Sequence, residues 1–249
     1  MTTTVTLTGG SYYDATGNTK YDITVYGNGT VAAGNGKDTI DVQGSGTITA
    51  GNGNDSLTLL GNGLISAGDG NDTIHLGSAS VGYDSIYAAG HATVTGAFGS
   101  ATVVGGELTT SFAGSIVTDT AVSGVMTLMG GVTPTDFVGG IGTTSMTGGS
   151  GSDTFVGGSG HDTMTALHHS SNNVFEFVTA AGGGQHVINN FVAGDQLYVE
   201  GLNFSQLTTG GNTVTTSGTS TIITLADHTT ITLHNFTSLN SSEIKTTLP

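Results

Sequence analysis

Large apolar residues return at a regular interval between residues 31 and 74. Successive positions are separated by nine and eight residues in turn, and Gly, Asn, Asp, Ser and Thr fill most of the intervals. These apolar positions are Val31, Ile40, Ile48, Leu57, Ile65 and Ile74. Because alternate side chains of a strand point to opposite faces, the pattern predicts two short strands in each 17-residue coil. Coils of this period stack as a β-solenoid.

Two kinds of turn alternate between the predicted strands. AGNGKDTIDV begins at Ala33, AGNGNDSLTL at Ala50 and AGDGNDTIHL at Ala67, each 17 residues after the last. Between them, YGNGTVA, QGSGTIT and LGNGLIS keep a Gly-x-Gly turn but have no aspartate. The sequence therefore predicts a coil whose two edges differ chemically.

Stacking predicts a column of carboxylates along one edge. Neighbouring strands lie about 4.8 Å apart, so Asp38, Asp55 and Asp72 should lie above one another. Two unit charges at about 5 Å, in an effective dielectric of about 20, repel by about 3 kcal/mol, and no Lys or Arg recurs beside these residues. We therefore expect a cation between the coils. The donors are aspartate and loop carbonyl oxygens, which favour calcium over magnesium. The alternative, that the motif only forms turns, is less consistent with three copies in register.

The repeats resemble those of the RTX (repeats-in-toxin) calcium-binding proteins, whose nonapeptide is GGxGxDxUx with U large and apolar. This resemblance implies an all-β fold, a right-handed parallel β-roll or β-helix solenoid with a C-terminal β cap, and Ca²⁺ as the cofactor. In that family each calcium lies between loops of adjacent coils on one edge. The corresponding residues here are Ala33, Gly34, Asn35, Gly36 and Asp38; Ala50, Gly51, Asn52, Gly53 and Asp55; and Gly68, Asp69, Gly70 and Asp72.

After the third motif the register slips, and Asp84 is a candidate to close the last calcium site. GGSGSDTFV from residue 148 and GGSGHDTMT from residue 157 fit the RTX nonapeptide, so Asp153 and Asp162 are further predicted calcium ligands. Asp153 should stack on the loop at Gly130 or on one near Ala166.

The resemblance also suggests a division of the chain. Residues 1–26 are expected to form N-terminal strands or a cap, residues 27–165 the roll, and residues 166–249 a C-terminal β cap with a secretion-signal region, all in one continuous elongated domain. The segment NNVFEFVTAAGGGQHVINNFVAGDQLYVEGL is similar to the end-cap that follows RTX arrays. Asn189 and Asn190 replace acids there.

Composition limits the partners. The net charge is −15, with 18 acidic residues against three lysines, so nucleic acid and anionic membranes are not expected partners. With 43 glycines and no cysteine, the chain loses much entropy on folding and has no disulfides, so we expect it to be largely unfolded without metal. No stretch is long and apolar enough to span a bilayer.

The sequence carries no HExxH, GxSxG or Walker motif, and the His168–His169 pair has no neighbouring acid. An enzyme is therefore not expected. The leading interpretation is an extracellular calcium-binding structural protein that self-assembles into a filament or surface layer. The open ends of a solenoid leave unpaired strands, and TTTVTLT and TTSGTSTIITL are suited to pairing with another copy.

Two other functions stay open at this stage. One is a calcium-dependent adhesin or carbohydrate-binding module for cell-surface polysaccharide, with Tyr12, Tyr13, Tyr21 and Tyr26 as its aromatic surface. The other is ice binding through ranks of threonine, although no unbroken Thr-x-Thr column is present. The N-terminus does not resemble a secretory signal peptide, which alone favours the cytoplasm. The RTX resemblance instead implies export by a type I system and an extracellular location.

Overall fold

The computed structural model describes residues 2–14, 17–77, 83–96, 100–112, 117–119, 125–131, 134–167, 172–178 and 183–247. Nearly all regular structure in these ranges is β-strand, with one short 3₁₀ helix at Phe204–Thr208. The chain divides into two compact units, Met1–Thr120 and Ala121–Pro249. This division falls inside the predicted roll, and the predicted boundaries at residues 26 and 165 stay predictions.

The first unit contains twelve strands in its described residues. They are β1 (Thr2–Thr8), β2 (Ser11–Asp14), β3 (Lys20–Tyr26), β4 (Gly29–Ala32), β5 (Thr39–Val42), β6 (Gly46–Thr49), β7 (Ser56–Leu59), β8 (Gly63–Ala67), β9 (Asn71–Leu76), β10 (Tyr83–Gly96), β11 (Ser100–Phe112) and β12 (Val117–Asp119).

All of these strands pair in parallel. Each of β1 to β8 pairs with the strand two positions further along the chain, whereas β9, β10 and β11 each pair with the next strand. Ile40 pairs with Leu57 and Leu57 with Ile74, while Ile48 pairs with Ile65 on the facing sheet. All five side chains are buried. The regularly spaced apolar residues thus form two columns, and within each column successive side chains are one coil apart. This confirms the predicted parallel β-solenoid. Its handedness stays a prediction.

The slip after β9 is accommodated by a longer coil. β10 pairs with both β8 and β9, so that Ile86 stacks on Ile65 and Val94 on Ile74. The intervals are 21 and 20 residues instead of 17. The apolar columns therefore continue across an interval that is three or four residues longer than in the preceding coils.

The second unit contains a further twelve strands in its described residues. They are β13 (Val125–Met129), β14 (Asp136–Val138), β15 (Thr143–Thr147), β16 (Thr154–Gly157), β17 (His161–Thr165), β18 (Val174–Phe177), β19 (Gln185–Asn189), β20 (Gln196–Val199), β21 (Thr213–Ser217), β22 (Ser220–Thr224), β23 (Thr230–Leu233) and β24 (Ile244–Lys245).

Aromatic residues fill one core column of this unit. The ring of Phe155 stacks on those of Phe137 and Phe175, with centroids 5.0 and 4.9 Å apart, and all three are buried. Such offset contacts add to the apolar area that the coils bury. The core side chains here are larger than the isoleucines and leucines of the first unit.

Strands near the C-terminus depart from the parallel arrangement. β21, β22 and β23 pair antiparallel, and β23 also continues the parallel stack on β19. The parallel stack therefore extends beyond residue 165, where the sequence analysis ended the roll. That this segment acts as a cap stays a prediction.

Candidate metal-binding site

Three repeated aspartates lie together along one edge of the first unit. Asp38 and Asp55 immediately precede β5 and β7, and Asp72 lies at the start of β9. Because these strands are stacked in register, the carboxylates follow one another coil by coil. Each residue is at most 3% exposed. The structure therefore confirms the predicted column, which we call the aspartate column.

One oxygen of each carboxylate connects adjacent coils. Asp38 Oδ1 accepts a hydrogen bond from the N–H of Tyr21 at 2.8 Å, and Asp55 Oδ1 accepts one from Asp38 N at 2.7 Å. Asp72 Oδ1 accepts one from Asp55 N at 2.9 Å. Each aspartate thus satisfies a backbone donor that the stacking of turns would otherwise leave unpaired.

The second oxygen of each carboxylate is unsatisfied. Oδ2 of Asp38, Asp55 and Asp72 is buried and has no hydrogen-bond partner, an arrangement that costs free energy while the groups are ionised. Burial raises the pKa of all three groups, and for Asp55 it raises the pKa to about 6, with the charges of Asp72 and Asp38 adding to the effect. The column therefore needs either protons or a cation.

Glycines allow the loops of the aspartate column to stack closely. A Cβ atom added to Gly53 would lie 1.8 Å from the carbonyl oxygen of Gly36 and 3.2 Å from Asp55 Oδ1. One added to Gly51 would lie 2.4 Å from the carbonyl oxygen of Gly34. Real Cβ atoms do not approach backbone oxygens this closely, so the recurring glycines are required by packing.

Polar loop side chains form a second, exposed ladder. Asn35 Oδ1 accepts a hydrogen bond from Asn52 N at 3.1 Å, and Asn52 Oδ1 accepts one from Asp69 N at 3.3 Å. The side chain of Asp69 lies on the exposed surface. Of the predicted loop ligands, the asparagine oxygens are therefore already engaged in stacking.

Several predicted backbone ligands also take part in the stack. The N–H groups of Ala33 and Ala50 donate to carbonyl groups of the following coil, and the carbonyl oxygens of Gly34, Gly68 and Gly70 accept from it. A carbonyl oxygen has two lone pairs, so these groups retain one each for a cation. The aspartate Oδ2 atoms are the acceptors of the site that no hydrogen bond satisfies.

The opposite edge is held by neutral side chains. Asn28 Oδ1 accepts a hydrogen bond from Ser45 N at 2.8 Å, and Ser45 Oγ accepts one from Asn62 N at 3.1 Å. From Asn28 to Asn62 this is the same type of ladder without carboxylates.

The sequence-based assignment of Asp84 to the last site of the aspartate column is wrong. Its Oδ1 accepts a hydrogen bond from Gly63 N at 2.7 Å, which places it on the edge opposite the aspartate column. Ala92, not Asp84, pairs with Asp72. The longer coil between β9 and β10 shifts Asp84 to the other edge, so it does not close the last site of the column.

In the second unit, Asp153 stacks on the loop that begins at Gly130. This confirms the first of the two predicted alternatives, the other being a loop near Ala166. Its Oδ1 accepts from Thr135 N and its Oδ2 from Gly149 N, both at 2.9 Å. On its other side lies Asn173, whose Oδ1 accepts from Asp153 N at 2.9 Å. Both carboxylate oxygens of Asp153 are therefore satisfied by backbone donors, in contrast to those of the aspartate column.

Asn173 and Asp195 extend this second column and were not identified from the sequence. The N–H and Nδ2 groups of Asn173 donate to Asp195 Oδ1 at 2.9 and 3.1 Å, and Val192 N donates to Asp195 Oδ2 at 3.1 Å. The signal was present, because Asn-Val-Phe and Asp-Gln-Leu match the D-x-U part of the nonapeptide. The amide of Asn173 accepts a hydrogen bond from Asp153 N and donates to Asp195, so the polar groups of this column satisfy one another.

Asp162 has a different neighbour. Its Oδ2 accepts a hydrogen bond from Gly158 N at 3.2 Å and lies 3.0 Å from Nδ1 of the buried His186. His186 was also missed, although His-Val-Ile occupies the D-x-U positions after Gly184 and Gln185. A histidine therefore takes the place of an aspartate one coil beyond Asp162.

Within the described ranges, no three His, Cys, Asp or Glu side chains gather into a metal-binding cluster, since each column supplies one side chain per coil. The part of the chain that the structure describes also has no helix long and apolar enough to cross a membrane. The His168–His169 pair lies outside the described residues.

A scan against protein-family models and a search of curated protein sequences match nothing to this chain.

Proposed function

We propose that this chain is a secreted calcium-binding structural protein that folds on Ca²⁺ outside the cell and self-assembles into a filament or surface layer. The observation that carries the proposal is the aspartate column. Three buried carboxylates follow one another in register, and each has one oxygen without a partner. We expect no catalytic activity.

The donor set fits calcium. Asp38, Asp55 and Asp72 would hold the ions through their Oδ2 atoms, together with carbonyl oxygens of the loops, because Ca²⁺ takes six to eight oxygen ligands in flexible geometry. The bound ions would supply the positive charge that the column lacks. Since the unfolded chain holds no such preformed site, binding free energy would appear as folding free energy. Calcium-poor cytosol would then leave the chain loose for export.

Exposed strand edges support self-assembly. In the described residues, β1 pairs only with β3, and its threonines at positions 2, 3, 4, 6 and 8 are exposed. β21 likewise pairs only with β22. An uncovered edge is a template for another strand, and neither strand carries a charged residue that would prevent pairing.

Electron microscopy and sedimentation of the full chain, with calcium and with chelator, test this proposal. We expect filaments or sheets in calcium only, and dispersed protein when Thr4 and Thr6 are both replaced by lysine. The Ser56→Lys variant, at an exposed position of the inner strand β7, is the matched control and should still assemble. Monomers in calcium, or assemblies that chelator leaves intact, would contradict the proposal.

A carbohydrate-binding module is the second candidate. The rings of Tyr13 and Tyr21 lie 6.1 Å apart in an edge-to-face arrangement, and Tyr26 is 55% exposed. This gives a small aromatic surface of the kind that sugars stack on. Calcium-loaded monomers that bind polysaccharide, and lose it in the Tyr26→Ala variant, would favour this function over assembly.

A further inference from the structure

Asp162 and His186 lie at equivalent positions of successive coils, where β17 and β19 pair in parallel. On the other side of Asp162, Thr144 of β15 occupies the same position. All three residues are buried, with at most 2% of their surface exposed. They form a further polar column, separate from the aspartate column of the first unit and from the column of Asp153, Asn173 and Asp195.

Each member of this column has an unsatisfied atom. Thr144 Oγ1, Asp162 Oδ1 and His186 Nδ1 are all buried without a hydrogen-bond partner. His186 Nδ1 is 3.0 Å from Asp162 Oδ2, but the contact lacks the geometry of a hydrogen bond. A separation of about 3 Å also suits two ligands that each lie about 2.0–2.2 Å from one ion.

Neighbouring residues fix the positions of the two side chains. The Phe177 ring contacts the imidazole with centroids 4.8 Å apart and fixes one of its faces. A Cβ atom on Gly139 would lie 3.0 Å from Asp162 Oδ1, so glycine gives the carboxylate its space.

We infer that Asp162 and His186 bind a divalent transition metal of the zinc class. Calcium takes oxygen ligands, whereas zinc also binds imidazole nitrogen, alone or together with carboxylate oxygen. Replacement of an aspartate by histidine therefore changes the metal that this position selects. The inference does not depend on calcium in the first unit, and it replaces the calcium predicted at Asp162.

The test is a titration of Zn²⁺ into the full metal-stripped chain in saturating calcium, monitored by calorimetry. X-ray absorption at the zinc edge is then measured on the zinc-loaded chain. We expect one zinc ion per chain, with imidazole in its coordination sphere. The His186→Asn variant should lose about 100-fold or more in zinc affinity. His186→Asp should lose zinc and gain one calcium. His161→Asn, an exposed histidine of the same strand as Asp162, should bind zinc like the parent chain.

Two results would overturn the inference. One is the absence of zinc binding by the parent chain, or a zinc edge without imidazole, and neither of these depends on whether the variants fold. The other is zinc affinity that His161→Asn lowers as much as His186→Asn does. Calcium binding by the aspartate column is measured in the same samples, so failure of either metal proposal is seen separately.

Discussion

Asp55 and Asn173 occupy equivalent positions of two columns and show what a carboxylate and an amide each do there. Both accept a hydrogen bond through Oδ1 from the N–H of the preceding coil. Asn173 also donates Nδ2 to Asp195, whereas Asp55 leaves Oδ2 buried and unsatisfied. At this position, a side chain with Nδ2 completes its own hydrogen bonds within the stack, whereas one with Oδ2 leaves a buried oxygen that requires a cation or a proton.

This comparison predicts opposite effects of Asp55→Asn with and without calcium. In chelator at pH 7, the amide keeps the Oδ1 contact, removes a buried charge and can donate to Asp72, so the free energy of unfolding should rise by about 1–3 kcal/mol. In calcium, the gain in stability that the metal provides should shrink. Far-ultraviolet circular dichroism of the folded fraction in chelator and urea denaturation in calcium measure the two effects. Asp22→Asn, which removes an exposed charge from β3 of the same unit, should change neither.

The raised pKa values predict how stability depends on pH. Burial raises the pKa of both Asp55 and Asp153 to about 6 from 3.8. Between about pH 4 and 6 the folded chain therefore binds more protons than the unfolded chain, so stability of the metal-free protein must fall as pH rises through this range. Thermal denaturation of metal-stripped protein from pH 4 to 8 checks the sign. A melting temperature that rises with pH would contradict it. Added calcium should restore stability above pH 6.

At the scale of elements, the coil is held by apolar columns inside and by glycine contacts at the turns. The apolar spacing was enough to predict both the solenoid and the register of Ile40, Leu57 and Ile74, because 17-residue coils repeat without interruption there. The same reasoning failed for Asp84, since a 21-residue coil lies before it. It also missed Asn173 and His186, which follow their partners by 20 and 24 residues. Spacing identifies a column only while the loops keep one length.

Gly53→Ala tests the glycine contact. The added methyl group would lie 1.8 Å from a backbone oxygen that cannot rotate away, so overpacking should lower the free energy of unfolding in calcium by at least about 1–3 kcal/mol. Ser56→Ala, at an exposed position a few residues further along the same coil, is the control and should change stability by less than about 0.5 kcal/mol. Equal effects of the two substitutions in urea denaturation would argue against close stacking.

At the scale of the whole molecule, the first unit is a stack in which each coil contacts mainly its neighbours. Stability of such repeats is close to a sum of coil and interface contributions. Deletion of residues 51–67 joins Ala50 to Gly68 and regenerates a complete motif, so the shortened chain should still fold in calcium and bind fewer ions. Deletion of only residues 51–58 puts an aspartate-free turn on the aspartate edge and should abolish folding. Circular dichroism and size-exclusion chromatography distinguish these outcomes.

The central claim is that calcium bound at the aspartate column folds the chain. Its most direct test is a calcium titration of the metal-stripped full chain at pH 7, monitored by far-ultraviolet circular dichroism. The aspartate column predicts that the β-sheet signal rises cooperatively with calcium, does not rise with the same concentration of magnesium, and is lost again in chelator. A β-sheet signal and melting temperature that are the same in chelator and in calcium would show that the column is stable without metal and would contradict the claim.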